Sequence, residues 1–501
     1  MSPRRVRTGV LLALILAAAI GLRIYLFQGI FGSDDLAYAK IAYKTSLGGY
    51  RIIEDQSLAM AWKLRRAFVT PVSWSIRLFG VHEWAMLLYP FLISIATVFL
   101  AYFAGKIFFN TRTGLIASLL VAISPYEIMQ ATSLMTDMAA SFYASLGIYF
   151  LYRVSQENQK RWAWALCSGL AFGVSWMTRE NVFYLSPFIL LMAGWLAVTR
   201  PKTRMSLLIL SAAAFSILLL EFYMNIKDSG DFLLRFHGIE HNYEPAANLV
   251  YPNGFQYYPH YQGFELIKRL FKTGPSLIFN NDEFVFYPAF ALLAVLYAWV
   301  RKCRQFVWPA IWFVLSVLIY NFASASLKNY VPLPLCTRLY YPILFPSTIL
   351  LAGFLEYLLN RGSADVRELI RERFFWGIAI VLSIFLCVSY TLVGKIRVGI
   401  ASPVERKIVS LAKPSDVIYT DWRTIEVLNF FWGFAPQPNL KSFNELKFID
   451  IPSGSFVLIN KPKLDFQANI YGIRALQLAE PIPSRWQTVW KSDKGFFYKV
   501  P

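Results

Sequence analysis

Two adjacent carboxylates, Asp34 and Asp35, stand in the stretch Phe31-Gly32-Ser33-Asp34-Asp35-Leu36-Ala37-Tyr38, directly after an apolar run from Thr8 to Phe27. Ionised groups beside hydrocarbon are costly and tend to be kept for function. A carboxylate at such a boundary can have a raised pKa and accept a proton from a hydroxyl or an amine. The competing reading is a solvated helix cap, because Asp is a good N-cap. Side-chain chemistry alone leaves both open. A second constellation, His237-Gly238-Ile239-Glu240-His241, matches the H-x-x-E-H pattern of one metalloprotease class. That pattern normally lies on a helix, and Gly238 with its aromatic, Pro-rich surroundings argues against one. The expectation is a polar loop in which His237, Glu240 and His241 touch an acceptor or a sugar, with a loop metal site as the alternative.

The elements that must position these groups are membrane helices. The 501 residues are 56% hydrophobic and only 16% charged, with mean hydropathy +0.45. A soluble domain is not that apolar. The net charge of +19 then reads as orientation and contact with anionic membrane lipid, not as nucleic-acid binding. Runs long enough to cross about 30 Å of hydrocarbon predict eleven spans, near 8–27, 83–104, 114–130, 138–152, 162–177, 181–199, 205–224, 284–300, 306–321, 339–358 and 374–393. Basic residues recur in alternate short loops, from Arg4, Arg5 and Arg7 to Arg361, Arg367, Arg371 and Arg373. The positive-inside rule makes that side cytoplasmic, the N-terminus included. Residues 28–82 and 225–283 become long outer loops, with Ile52 to Arg77 expected as an interfacial helix. The first run resembles a cleavable signal peptide up to Ala17-Ala18-Ala19, but its continuation to Phe27 favours an uncleaved span with Arg23 snorkelling. The four cysteines show no metal or redox spacing.

After residue 394 the composition changes, and residues 395–501 read as a small soluble α/β domain on the outer side. Ser402-Pro403-Val404-Glu405 predicts a helix start with Ser402 as cap and Glu405 completing a capping box. Val417–Thr420, Phe456–Ile459 and Phe496–Val500 read as strands.

Four short motifs recur in order and on one side: Asp34-Asp35 after the first span, Ser124-Pro125-Tyr126-Glu127 followed by Asp137, Arg179-Glu180-Asn181, and Arg338-Leu339-Tyr340-Tyr341-Pro342. With these motifs the chain resembles the GT-C glycosyltransferases, and more closely the protein O-mannosyltransferase and lipid A aminoarabinose transferase group. The resemblance implies a mainly α, polytopic membrane protein, with residues 1–394 as the transferase domain. It implies transfer of a sugar from a polyprenyl-phosphate carrier to a glycolipid, glycan or protein outside the cytoplasmic membrane, the bacterial inner membrane being the expected one. Asp34 or Asp35 would be the base of an inverting displacement. Arg179, Arg338 and Lys328 would bind the phosphate, a guanidinium gripping its oxygens as a fork; snorkelling anchors are the alternative. Glu127 and Asp137 would orient the acceptor or hold a divalent metal ion, with Glu180 and Tyr341 as further substrate contacts. No cofactor is certain from these residues. The rival class is a transporter or flippase of a lipid-linked sugar, but neither the internal repeats nor the midplane charges of such proteins are evident.

Overall fold

The computed structural model describes residues 3–48, 60–156, 159–239, 263–281, 283–324, 330–360, 402–434, 439–443, 446, 448–468 and 482–501. Helices stand at ten of the eleven expected spans; the eleventh, 374–393, lies outside the described residues. Among the described helices, six are long and apolar enough to cross a membrane, or seven if the bent pair Thr111–Ile123 and Pro125–Ala131 is one span. The 14-residue helix Tyr287–Val300 is short for about 30 Å of hydrocarbon at 1.5 Å per residue. Leu190, Leu208 and Trp299 point outward, which suits lipid and would be costly in water. Inside, Gly169 and Gly173 let helix Arg161–Thr178 lie against Arg204–Ser229; a Cβ on Gly169 would stand 2.2 Å from the Leu210 carbonyl oxygen. Small residues four apart allow such close helix contact in membranes.

The 61° bend at Ser124-Pro125 explains a charge inside the bundle. Pro125 has no N–H, so the preceding helix ends with orphan carbonyls. Arg23 donates from Nη1 to Ala122 O at 3.0 Å, from Nη1 to Ala19 O at 3.0 Å and from Nε to Ser94 Oγ at 2.8 Å. It is fully buried, so it does not snorkel: a cation placed at a helix C-terminus is held by the carbonyls and the dipole there.

The expected interfacial helix over Ile52 to Arg77 is also corrected. Residues 51–59 lie outside the described residues, and the remainder forms Met60–Lys63 and Arg66–Phe79. Lys63, Leu64, Arg65 and Phe68 are buried. Arg65 and Arg66 find carboxylates within the protein, Glu180 at 3.1 Å and Asp228 at 2.9 Å, so this face packs inward, while Trp74, Leu78 and Phe79 on helix Arg66–Phe79 stay exposed.

The C-terminal domain carries a five-stranded sheet in the order β2-β1-β3-β5-β4. Its strands are β1 Ile418–Thr420, β2 Leu440–Ser442, β3 Phe456–Asn460, β4 Gln487–Lys491 and β5 Gly495–Lys499. β1 lies parallel between β2 and β3, and β5 lies antiparallel between β3 and β4. Alternation sends Ile418, Leu458 and Phe497 to one face and Tyr419, Val457, Ile459 and Tyr498 to the other, as a pleated strand requires. Helix Pro403–Leu411 begins where expected, but without the capping box. Ser402 has φ 43 and makes no side-chain cap bond. Glu405 is instead buried, among Asn460, Lys463 and Asp421; tertiary partners outcompete the local motif.

Candidate active site

Gly29 and Gly32, at φ 83 and 84, turn the chain between the first helix and helix Asp34–Ser46. The structure gives the two carboxylates different surroundings. Asp35 is fully buried and folds back on its own turn, accepting from the Phe31 amide at 2.6 Å and the Ser33 amide at 2.6 Å. Burial pushes its carboxyl up, while those amides pull it down. Asp34 faces the other way and pairs with Arg338, with 19% and 25% of the two side chains exposed. Burial raises Asp34, but Arg338, and behind it Arg65 and Arg179, more than offset this and hold it below the usual carboxylate range.

Those guanidiniums come from three separate elements. Arg338 stands on the tight turn Thr337–Ile343 that leads into a late span. Arg179 ends helix Arg161–Thr178 and pairs with buried Asp137. Arg65 donates to Thr136 Oγ1 at 3.0 Å and Glu180 Oε1 at 3.1 Å, and bonds the Tyr38 hydroxyl. Glu180 also meets Arg235 at 3.4 Å. Arg235 continues to Leu64 O at 2.7 Å and to Glu221 Oε1, 2.7 Å from its Nε; Glu221 in turn accepts from Trp176 Nε1 at 2.6 Å. Arg65, Glu180, Arg235 and Glu221 thus form one chain of contacts. The pairs Asp34–Arg338 and Asp137–Arg179 couple to it through the charges of Arg65 and Arg179, making one network of four guanidiniums and four carboxylates.

The other expected residues have partners other than Asp34. Glu127 is buried beside Tyr341 and feels Arg23, and Tyr126 packs on Tyr341 with ring centroids 5.3 Å apart. His237 is 59% exposed and bonds Asp231 at 2.8 Å, outside the network. Glu240, His241 and Lys328 lie outside the described residues. Among the described residues no group of three or more His, Cys, Asp or Glu is placed to hold a metal; Glu127 and Asp137 face different partners.

Sequence reasoning missed Tyr38, Arg65, Arg235 and Glu221. The signal for Glu221 was present: a lone acid near the end of the apolar run Arg204–Ser229 is itself a pointer to function or pairing. Replacing Arg235 by Met should leave Glu221 as an uncompensated buried charge and cost about 3–5 kcal/mol. In thermal unfolding of the purified protein, the double variant Arg235→Met, Glu221→Gln should recover much of that loss. Equal loss in the single and double variants would show that the pair is not coupled.

The model of the dolichyl-phosphate-mannose-protein mannosyltransferase family matches residues 71–223. No curated protein sequence matches at significant similarity. Among solved structures, ArnT from Cupriavidus metallidurans in the apo state is 13% identical over 99% of this chain and 98% of its own, with a TM-score of 0.60. The same protein bound to undecaprenyl phosphate is 13% identical over 97% of both chains, again with a TM-score of 0.60. The archaeal oligosaccharyltransferase AglB from Archaeoglobus fulgidus, in complex with an inhibitory peptide and a dolichol-phosphate, is 13% identical over 88% of this chain and 65% of its own, with a TM-score of 0.51. Over nearly its whole length the chain thus shares the polytopic fold of these solved structures.

Proposed function

We propose that this chain is an integral membrane glycosyltransferase that moves a sugar from a polyprenyl-phosphate carrier to an acceptor on the extracytoplasmic face, with inversion at the anomeric carbon. The observation that carries the reading is the Asp34–Arg338 pair, flanked by Arg65 and Arg179, where the chain leaves its first apolar helix. The family match over residues 71–223 and the fold shared with a protein that binds undecaprenyl phosphate point the same way.

Four carboxylates match the four guanidiniums, so an incoming phosphate competes with a carboxylate for its cation. Asp137–Arg179 and Glu221–Arg235 are buried at both ends. Asp34–Arg338 is the more exposed pair and the one an incoming anion opens. Arg338 then serves the carrier phosphate, supported by Arg65 and Arg179, and Asp34 is released beside it. Asp34 takes the proton from the acceptor hydroxyl or amine as that atom bonds to the anomeric carbon. The bond from the anomeric carbon to the phosphate oxygen breaks, and the polyprenyl phosphate leaves with the electron pair, its charge held by the guanidiniums. Asp137, Glu180 and Glu127 with Tyr341 are the acceptor- and sugar-side contacts in this reading. The N-terminus is cytoplasmic and the C-terminal domain outside, in a bacterial inner membrane.

Mass spectrometry of envelope glycolipids, glycans and proteins from cells with and without the gene tests this. One component should lose the mass of a single sugar unit when the gene is removed, naming donor sugar and acceptor together. An unchanged envelope, with the lipid-linked sugar redistributed across the bilayer instead, would favour a transporter.

A further inference from the structure

The C-terminal domain does more than cap the bundle. Arg406 donates from Nη2 to Gln28 O at 2.9 Å and to Glu83 Oε1 at 2.8 Å, and that same Glu83 oxygen accepts the Ile30 amide at 2.8 Å. Lys463 donates from Nζ to Phe31 O at 2.6 Å. The Phe31 backbone is therefore held at both polar groups, its carbonyl by Lys463 and its amide by Asp35 at 2.6 Å. Three residues later comes Asp34. The contact has no room for side chains on the turn: a Cβ at Gly32 would stand 2.6 Å from Val427 Cγ2, and one at Gly29 2.1 Å from Arg406 Nη2. Val427 and Phe430, on helix Trp422–Phe431 of the C-terminal domain, belong to the buried core of the membrane domain. Phe434 stacks on Tyr43 of helix Asp34–Ser46, with centroids 5.2 Å apart. Lys463 is itself set among Asp35, Glu405 and Asp421.

We propose that the C-terminal domain is a positioning device for the Asp34 carboxylate: Arg406 and Lys463 fix the backbone of Gln28 to Phe31 and thereby the start of helix Asp34–Ser46. Apolar contacts from Val427, Phe430 and Phe434 also dock the domain. The polar contacts land on the main chain of the turn that aims Asp34, and a carboxylate misplaced by about 1 Å can lose roughly 100-fold in rate. This rests on Asp34 being the base, and Lys463 and Arg406 act through it without touching substrate.

The test uses the full-length protein in nanodiscs, in the variants Lys463→Met, Arg406→Met and Lys463→Arg. Hydrogen exchange reads the clamp without any substrate. Amides in 28–38 should exchange about tenfold or more faster in the two Met variants, while β3 and β5 keep their protection and Lys463→Arg stays near wild type. Sugar transfer should fall about 10- to 100-fold in turnover, with half-saturation for the lipid-linked donor unchanged and activity restored by Lys463→Arg. Unchanged exchange over 28–38 in both Met variants overturns the clamp. Faster exchange there with wild-type turnover overturns the positioning role. If one Met variant loses sheet protection, the other decides. Faster exchange together with full turnover in Asp34→Asn would instead fault the assignment of the base and leave the clamp standing.

Discussion

Asp34→Asn should lower sugar transfer by about 10²–10⁴-fold while leaving the folded protein and its membrane level close to wild type and its affinity for undecaprenyl phosphate no weaker, since the carboxylate that competes for Arg338 is gone. The amide is the same size and can still accept from Arg338, so the fold has little to lose; what disappears is the ability to take a proton. Asp35→Asn should behave differently. Its two oxygens each accept a backbone amide, and an amide nitrogen in place of one of them would face a donor with a donor. The turn loses a buried bond and gains a buried conflict, so thermal stability should fall by about 1–3 kcal/mol and activity with it. Transfer rates and unfolding temperatures on the same purified samples separate the two. Full transfer by Asp34→Asn would remove the catalytic role, and loss through Asp35 alone would reverse the assignment.

Arg338→Met carries the second large effect. Without that guanidinium the leaving phosphate loses a fixed donor, and kcat should fall about 10²–10³-fold. Arg338→Lys should recover only part, because an ammonium cannot grip two oxygens as a fork. The pH profile gives an independent reading. Burial pushes the Asp34 carboxyl up and Arg338 is the leading influence pulling it down. The base works ionised, so activity is lost as pH falls through its pKa. Removing Arg338 removes the downward pull, the pKa rises, and the acid limb of the kcat/KM profile should move to higher pH. A limb that stays in place, or moves to lower pH, would show that Arg338 does not govern the ionisation of the base.

The chain tells a reader where its polar groups break an apolar pattern, and that made much of the site legible. Asp34 and Asp35 are conspicuous because they follow a twenty-residue run, Thr8 to Phe27, that is apolar apart from Thr8 and Arg23. Helices at ten of the expected spans follow from apolar runs whose side chains are partly buried and partly turned outward, and the strands around Val417–Thr420 and Phe456–Ile459 follow from runs buried in the folded protein. β2 and β4 were not legible, because they are edge strands with mostly exposed residues and carry no burial pattern. Partner choice was not legible either. Arg65 meets Glu180 across 115 positions, and nothing local distinguishes such a cation from one that rests at a lipid surface; only packing that removes both from water selects the pair. Ser402 shows the opposite failure, where a complete local cap signature yields to Asn460 and Lys463 brought in by the sheet. The division of labour between Asp34 and Asp35 belongs with these, since neighbours on a helix start differ only in which direction the fold turns them.

The most direct test of the central claim is a structure of this protein with undecaprenyl phosphate bound. The phosphate is expected within hydrogen-bonding distance of Arg338, with Arg65 and Arg179 behind it and the Asp34 carboxylate freed from its ion pair alongside. A lipid phosphate seated elsewhere, with Asp34 still locked to Arg338, would contradict it.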